Sequence, residues 1–236
     1  MQDFHIHTTF SDGSDTPEAM IRAAVAANIT TLGICDHVNA STDWVPEYVE
    51  TIHRLRADSP IEVTCGAEAT MLDTHGNLDL PENLFGIEYV AIADHRMPTP
   101  YGPAQPEQIR RRLDAGALDE IDVFEMIIKA TAEAASSSPA QPIVAHLFSI
   151  LPKVGIREDD IPLRLVDVLV RRLRRAHAWV EINEKWRSPG RDIADRLARG
   201  GVRLVAGSDS HTAAEVGWWA YVASTGDDLI TPRVAA

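Results

Sequence analysis

The stretch Asp3-Phe4-His5-Ile6-His7, followed at once by Ser11-Asp12-Gly13, sets the reading of the whole chain. Residues 3–7 read as a β-strand. Side chains alternate between the two faces of a strand, so His5 and His7, two positions apart, point to the same side. Two same-side imidazoles beside a loop aspartate form a donor set suited to zinc, manganese or iron. Taken by itself the pair reads equally well as buried core histidines. What decides is whether the remaining chain supplies partners.

It does so one strand after another. A buried strand at 31–35 leads into Asp36-His37, and one at 61–68 ends in Glu68. The strand at 89–93 ends in Asp94-His95, and 142–145 runs into His146. Further strands read at 178–182 and 202–206, the latter leading into Gly207-Ser208-Asp209-Ser210-His211. Between them the sequence predicts helices over 16–28, 44–56, 119–135, 160–176 and 192–199. The first opens on a capping Thr16 with Pro17 at the first helical position. The segment 96–106, with Pro98, Pro100, Pro103 and Pro106, reads as a loop that covers the site, with Tyr101 in its wall. Alternating strands and helices imply parallel βαβ units, and about seven of them fit a closed (β/α) barrel better than an open doubly wound sheet. No repeat or linker divides the chain, so a single domain over 1–236 is expected.

In a closed parallel sheet the strand ends converge on one face, where the site of such folds lies. A single strand-end histidine is ordinary; a histidine or acid at the end of one strand after another is not. Clustered carboxylates raise one another's pKa unless cations offset them. Glu68 and Asp209 are natural bridging ligands, whereas Asp36 and Asp94, each preceding a histidine, read as supporting hydrogen-bond acceptors. His53, His75 and His177 fall outside the pattern, and Arg171, Arg172, Arg174 and Arg175 read as a solvent-facing helix surface.

The 236 residues carry 35 acidic against 22 basic side chains, a net charge of −13, which argues against a nucleic-acid partner. A hydrophobic content of 45% is enough for a sizeable core. Cys35 and Cys65 lie in apolar runs with no CxxC pattern, so reduced core thiols are expected. No basic leader followed by an apolar run, and no apolar stretch of about 20 residues, is visible. A cytoplasmic protein without a membrane partner is expected.

The motifs Asp3 to Thr8 with Ser11-Asp12-Gly13, Asp36-His37, Gly66-Ala67-Glu68, Asp94-His95, Ala145-His146 and Gly207 to His211 together resemble the polymerase-and-histidinol-phosphatase (PHP) superfamily of metal-dependent phosphoesterases. The resemblance implies a distorted seven-stranded (β/α)7 TIM-like barrel holding two to three divalent ions, zinc, manganese or iron. Carried over by position, one ion takes His5, His7, Glu68 and Asp209. A second shares Glu68 and takes His95 and His146. The third takes Asp12, where some relatives carry His, with His37 and His211. The implied reaction is hydrolysis of a small-molecule phosphomonoester by a metal-bound hydroxide, with Asp209, His211 and Asp12 managing protons. Ser11, Ser208 and Ser210 then shape loops and are not nucleophiles. Arg96, Lys185 and Arg187 are the candidates to meet the substrate phosphate. Histidinol phosphatase is one specific form of this activity; a nuclease or nucleotide phosphatase of the same superfamily is an alternative. A metal-binding domain without catalysis is the alternative of another class, and it sits poorly with a chain that retains every ligand.

Overall fold

Seven parallel strands pair in chain order: β1 (Gln2–Ile6), β2 (Thr31–His37), β3 (Glu62–Thr70), β4 (Tyr89–Ala93), β7 (Gln141–Val144), β8 (Trp179–Asn183) and β9 (Arg203–Gly207). The antiparallel hairpin β5 (Met97–Thr99) and β6 (Gly102–Ala104) stands apart from them. The structure is a computed structural model that describes residues 1–226 and 228–230. Helices α1 (Pro17–Ala26) and α2 (Val45–Ala57) link the first three strands, and α3 (Pro106–Asp114) and α4 (Glu120–Ser137) precede β7. The short α5 (Leu151–Val154) and α6 (Leu163–Arg175) lead to β8, α7 (Arg191–Arg199) leads to β9, and α8 (Tyr221–Thr225) follows it. The β3–β4 connection carries no helix. No helix among the described residues is long and apolar enough to cross a membrane.

The sheet closes on itself through residues just beyond β9. Ile6 bridges Ser210, His7 N–H donates to the Ser210 carbonyl at 2.9 Å, and Asp209 N–H donates to the His5 carbonyl at 2.7 Å. Lower in the same seam the Asp3 carboxylate stands in for a backbone acceptor, taking the Ser208 N–H at 2.9 Å. The β1–β2 register shifts between Asp3 and Ile6. Such an irregularity breaks simple alternation, so the neighbours Phe4 and His5 both reach the barrel interior. The result is the distorted (β/α)7 TIM-like barrel expected from the sequence.

Two apolar clusters fill the space between sheet and helices, one around α1 and α2 and one around α4, α6 and α7. A third, built on Phe4, Cys35, Tyr89, Ile143 and Val205, plugs the barrel interior below the strand ends. Both cysteines are free and buried, as expected. The helices lie close to their predicted positions; Thr16 caps α1, and Arg172 on α6 pairs with Glu133 at 2.8 Å.

The reading of 96–106 as a covering loop is corrected. Pro98 and Pro103 face each other in the β5–β6 hairpin, where a two-stranded ribbon tolerates missing donors. Pro106 opens α3 behind a reciprocal Gln105–Gln108 cap. Tyr101 sits at the hairpin tip, 95% exposed, and lines a depression with Thr74 and Arg112, away from the strand ends.

Tyr89 ties the plug to the site above it. Its hydroxyl donates to the Phe4 carbonyl at 2.8 Å, and its ring lies against Gly33 and Gly66. A Cβ on Gly66 would fall 2.1 Å from the Tyr89 ring. Gly66→Ala is therefore expected to cost about 1–3 kcal/mol by overpacking, measured by chemical denaturation.

Candidate metal centre

Glu68, two residues before the end of β3, is the hub of the strand-end face. Its Oε1 lies 3.1 Å from His95 Nε2 and 3.0 Å from His146 Nε2. Its Oε2 lies 2.8 Å from His37 Nδ1 and 3.5 Å from both His5 Nε2 and His7 Nε2. His37 arrives there because it is the register partner of Glu68 on β2. His146 and Asp209 stand past their strands with left-handed φ of 30° and 57°, which turns their side chains back over the barrel. His5 and His7 share one side, as the strand reading requires, with Nε2 atoms 3.1 Å apart.

The donor atoms form three overlapping groups: His5, His7 and Asp209; His37, Glu68 and His95; and His7, Asp12, His37 and His211. His146 joins through Glu68. The grouping differs in detail from the assignment implied by resemblance, since His37 also lies with Glu68 and His95. Supporting acids are where the sequence placed them. Asp36 accepts from Thr8 Oγ1 at 2.7 Å and Ser11 Oγ at 2.6 Å. Asp94 accepts from Ser149 Oγ at 2.6 Å and lies 3.2 Å from His146 Nδ1. Ser208 and Ser210 hydrogen-bond to each other at 2.7 Å within the closing loop.

The electrostatics follow from burial. Burial alone would raise the Glu68 carboxyl, but the surrounding histidines, His5 and His95 foremost, hold it well below the usual carboxylate range. The His7 imidazole is pushed well down, first by burial. Burial also pulls on His146, yet its bonds to Asp94 and Glu68 raise it to about 10.

A cleft of about 470 Å3 opens above these atoms, lined by Asp12, His37, Glu68, His95, Asp209 and His211 together with Arg96, Lys185 and Trp186. Lys185 Nζ lies 3.2 Å from Asp209 Oδ1 and 3.1 Å from His211 Nδ1. Arg187, exposed on the same loop with a left-handed φ of 53°, does not line the cleft. Two residues escaped the sequence reading. Trp186 lines the cleft and donates its indole N–H to Asp209 Oδ2 at 2.9 Å. Glu181, buried on β8, bonds His5 Nδ1 at 2.9 Å. The signal for Glu181 was an acid at an inward-facing position of an apolar strand.

The donor set fits divalent ions. His7 Nδ1 is buried and makes no hydrogen bond. Orphaned polar atoms of this kind are costly without a partner. The 3.1 Å between the facing Nε2 atoms of His5 and His7 approaches the roughly 3.3 Å expected of two nitrogens on one tetrahedral ion. A His146 raised to about 10 is protonated at neutral pH, while ligation needs the neutral ring. Metal uptake at pH 7 is thus expected to release protons into weakly buffered solution, seen with an indicator dye, and affinity should climb with pH. In metal-free protein a raised histidine stabilises fully below its unfolded pKa of about 6.5, and that contribution disappears as pH rises through about 10. Melting temperature of the stripped protein should fall over that window.

Among solved structures, the barrel superposes on histidinol phosphate phosphatase HisK from Lactococcus lactis, complexed with zinc, L-histidinol and phosphate, with a TM-score of 0.67 at 17% identity over 97% of this chain and 92% of that one. A Listeria monocytogenes protein provisionally assigned as histidinol phosphatase HisK gives a TM-score of 0.54 at 14% identity, over 92% and 97%. These likenesses speak for the fold. No curated protein matches the chain. The sequence profile of the PHP domain, however, matches residues 3–184. The chain belongs to the PHP domain family.

Proposed function

We propose that this protein is a metal-dependent phosphatase that hydrolyses a small-molecule phosphomonoester. One observation carries the reading: donors from successive strand ends converge on Glu68 beneath a cleft whose mouth bears Lys185 and Arg96. In this reading His5, His7, Glu68 and Asp209 hold one ion. His95 and His146 hold a second with Glu68, and Asp12, His37 and His211 hold a third. Divalent ions there would supply a nucleophilic water at neutral pH and withdraw charge from the phosphoryl oxygens.

The chain's own residues do the remainder. Lys185, whose Nζ lies 3.2 Å from Asp209 Oδ1, and Arg96, exposed at the rim, meet the phosphate. Asp209, His211 and Asp12 manage protons. Asp12, with its side chain 53% exposed and its Oδ2 3.4 Å from His211 Nε2, is placed to pass a proton to solvent. Trp186 forms one wall of the cleft. The chain acts as one domain over 1–236, with zinc, manganese or iron as its ions.

Histidinol phosphate is the first substrate to try, because the Lactococcus lactis structure that the barrel superposes on carries histidinol and phosphate. Turnover of para-nitrophenyl phosphate with added manganese, followed by a screen of phosphorylated metabolites, tests the proposal. Silence across zinc, manganese and iron, despite tight metal binding, would instead mark a binding domain. His5→Ala or His7→Ala is expected to leave the fold largely intact, empty one metal position and abolish most turnover, with metal content read by mass spectrometry. Lys185→Ala should raise KM roughly tenfold by removing a charge-assisted contact to the phosphate.

A further inference from the structure

Glu181 is the buried acid to which the ligand assignment gives no task. It lies in the middle of β8, 1% exposed, so its charge must be matched inside the barrel. Its two oxygens part company: Oε1 lies 2.9 Å from His5 Nδ1, and Oε2 accepts the His146 backbone N–H at 2.7 Å. His5 belongs to β1, on the far side of β9, so the side chain must cross the face of β9 to reach it. Gly207 makes the crossing possible. A Cβ there would fall 1.6 Å from Glu181 Oε1 and 2.8 Å from His5 Cβ.

Each contact aims a donor at the hub. A carboxylate only accepts, so His5 Nδ1 carries the hydrogen, and Nε2 is the nitrogen left to ligate an ion once the ring is neutral. That Nε2 is the atom facing His7 at 3.1 Å and Glu68 at 3.5 Å. His146 is anchored by its N–H at an unfavourable left-handed φ of 30°, the conformation that brings its Nε2 to 3.0 Å from Glu68 Oε1. In the functional reading above, on which this step rests, His5 and His146 serve different ions.

We propose that Glu181 is a positioning residue that couples those two ions, one carboxylate setting the aim of His5 for the first and of His146 for the second. Outer partners of metal-bound histidines typically shift affinity by about 10- to 100-fold. What is particular here is that a single group should shift two ions at once. Glutamine offers one neutral acceptor oxygen, so Glu181→Gln sets its amide hydrogens against one of His5 Nδ1–H and His146 N–H and leaves the other with a weaker, uncharged contact.

The test titrates the stripped full-length protein with zinc against a chromophoric chelator, using wild type, His5→Ala, His146→Ala and Glu181→Gln. Expected is that Glu181→Gln weakens both the ion lost in His5→Ala and the ion lost in His146→Ala by about 10- to 100-fold. The visible absorption of the cobalt-loaded variant should change with them. Unchanged affinities, or weakening of one ion only, would overturn the coupling. Should Glu181→Gln not fold, Gly207→Ala displaces the same carboxylate, and the same paired loss is required of it. A wild type that takes up no divalent ion and turns over no phosphate ester sinks the functional reading. A wild type that does both beside an unaffected Glu181→Gln sinks the positioning role alone.

Discussion

A single buried carboxylate surrounded by imidazoles is the constraint on which the rest of this structure depends. Glu68 receives His37, His95 and His146 within about 3 Å, and His5 and His7 stand a little farther off. A lone carboxylate at this depth would be expelled or neutralised. Rings drawn from β1, β2 and the segments past β4 and β7 hold it charged. Those elements reach one point only if the sheet closes, so the electrostatics of one side chain and the topology of the barrel impose the same geometry. Nitrogens that crowd one carboxylate form a cage suited to divalent cations.

The barrel below is shaped to hold that cage in place. Tyr89 spans the interior because Gly33 and Gly66 leave room for its ring, and Glu181 crosses to β1 because Gly207 leaves room for its carboxylate. Asp36 and Asp94 fasten the loops after β1 and β7 through hydroxyl and backbone donors. The first ring of donors thus rests on a second ring of acids, itself buried and bonded. Such support is what keeps a site accurate to fractions of an ångström.

Much of this was legible in the chain. Strand-end residues such as His37 and His146 are visible because short apolar runs stop abruptly at a polar residue. Closure of the sheet then brings those stops together without further information. The period of two placed His5 and His7 on one side even though the nearby bulge sends Phe4 inward as well. What the chain hid has identifiable causes. The hairpin at 97–104 and α3 were masked by prolines, which mark turns more often than ribbons, and by a Gln cap where Ser, Thr or Asp would have signalled a helix. Arg187 and Tyr101 were misplaced because loop direction depends on single left-handed or turn residues. Glu181 and Trp186 went unread because their roles come from neighbours far along the chain.

The Asp3–Ser208 seam also bears on how the molecule comes into being. Its two partners are 205 positions apart, and the clamp of His7 on Ser210 joins the same distant segments. Contacts of such separation form late, because a long loop must be closed before they repay its lost entropy. On the ribosome, the histidines made first wait for the strand made last. An emerging chain can bring His37, Glu68 and His95 together from β2 to β4, whereas Asp209, His211 and the bridge to Glu181 are added only when β8 and β9 are in place. The complete donor set is consequently a property of the finished barrel.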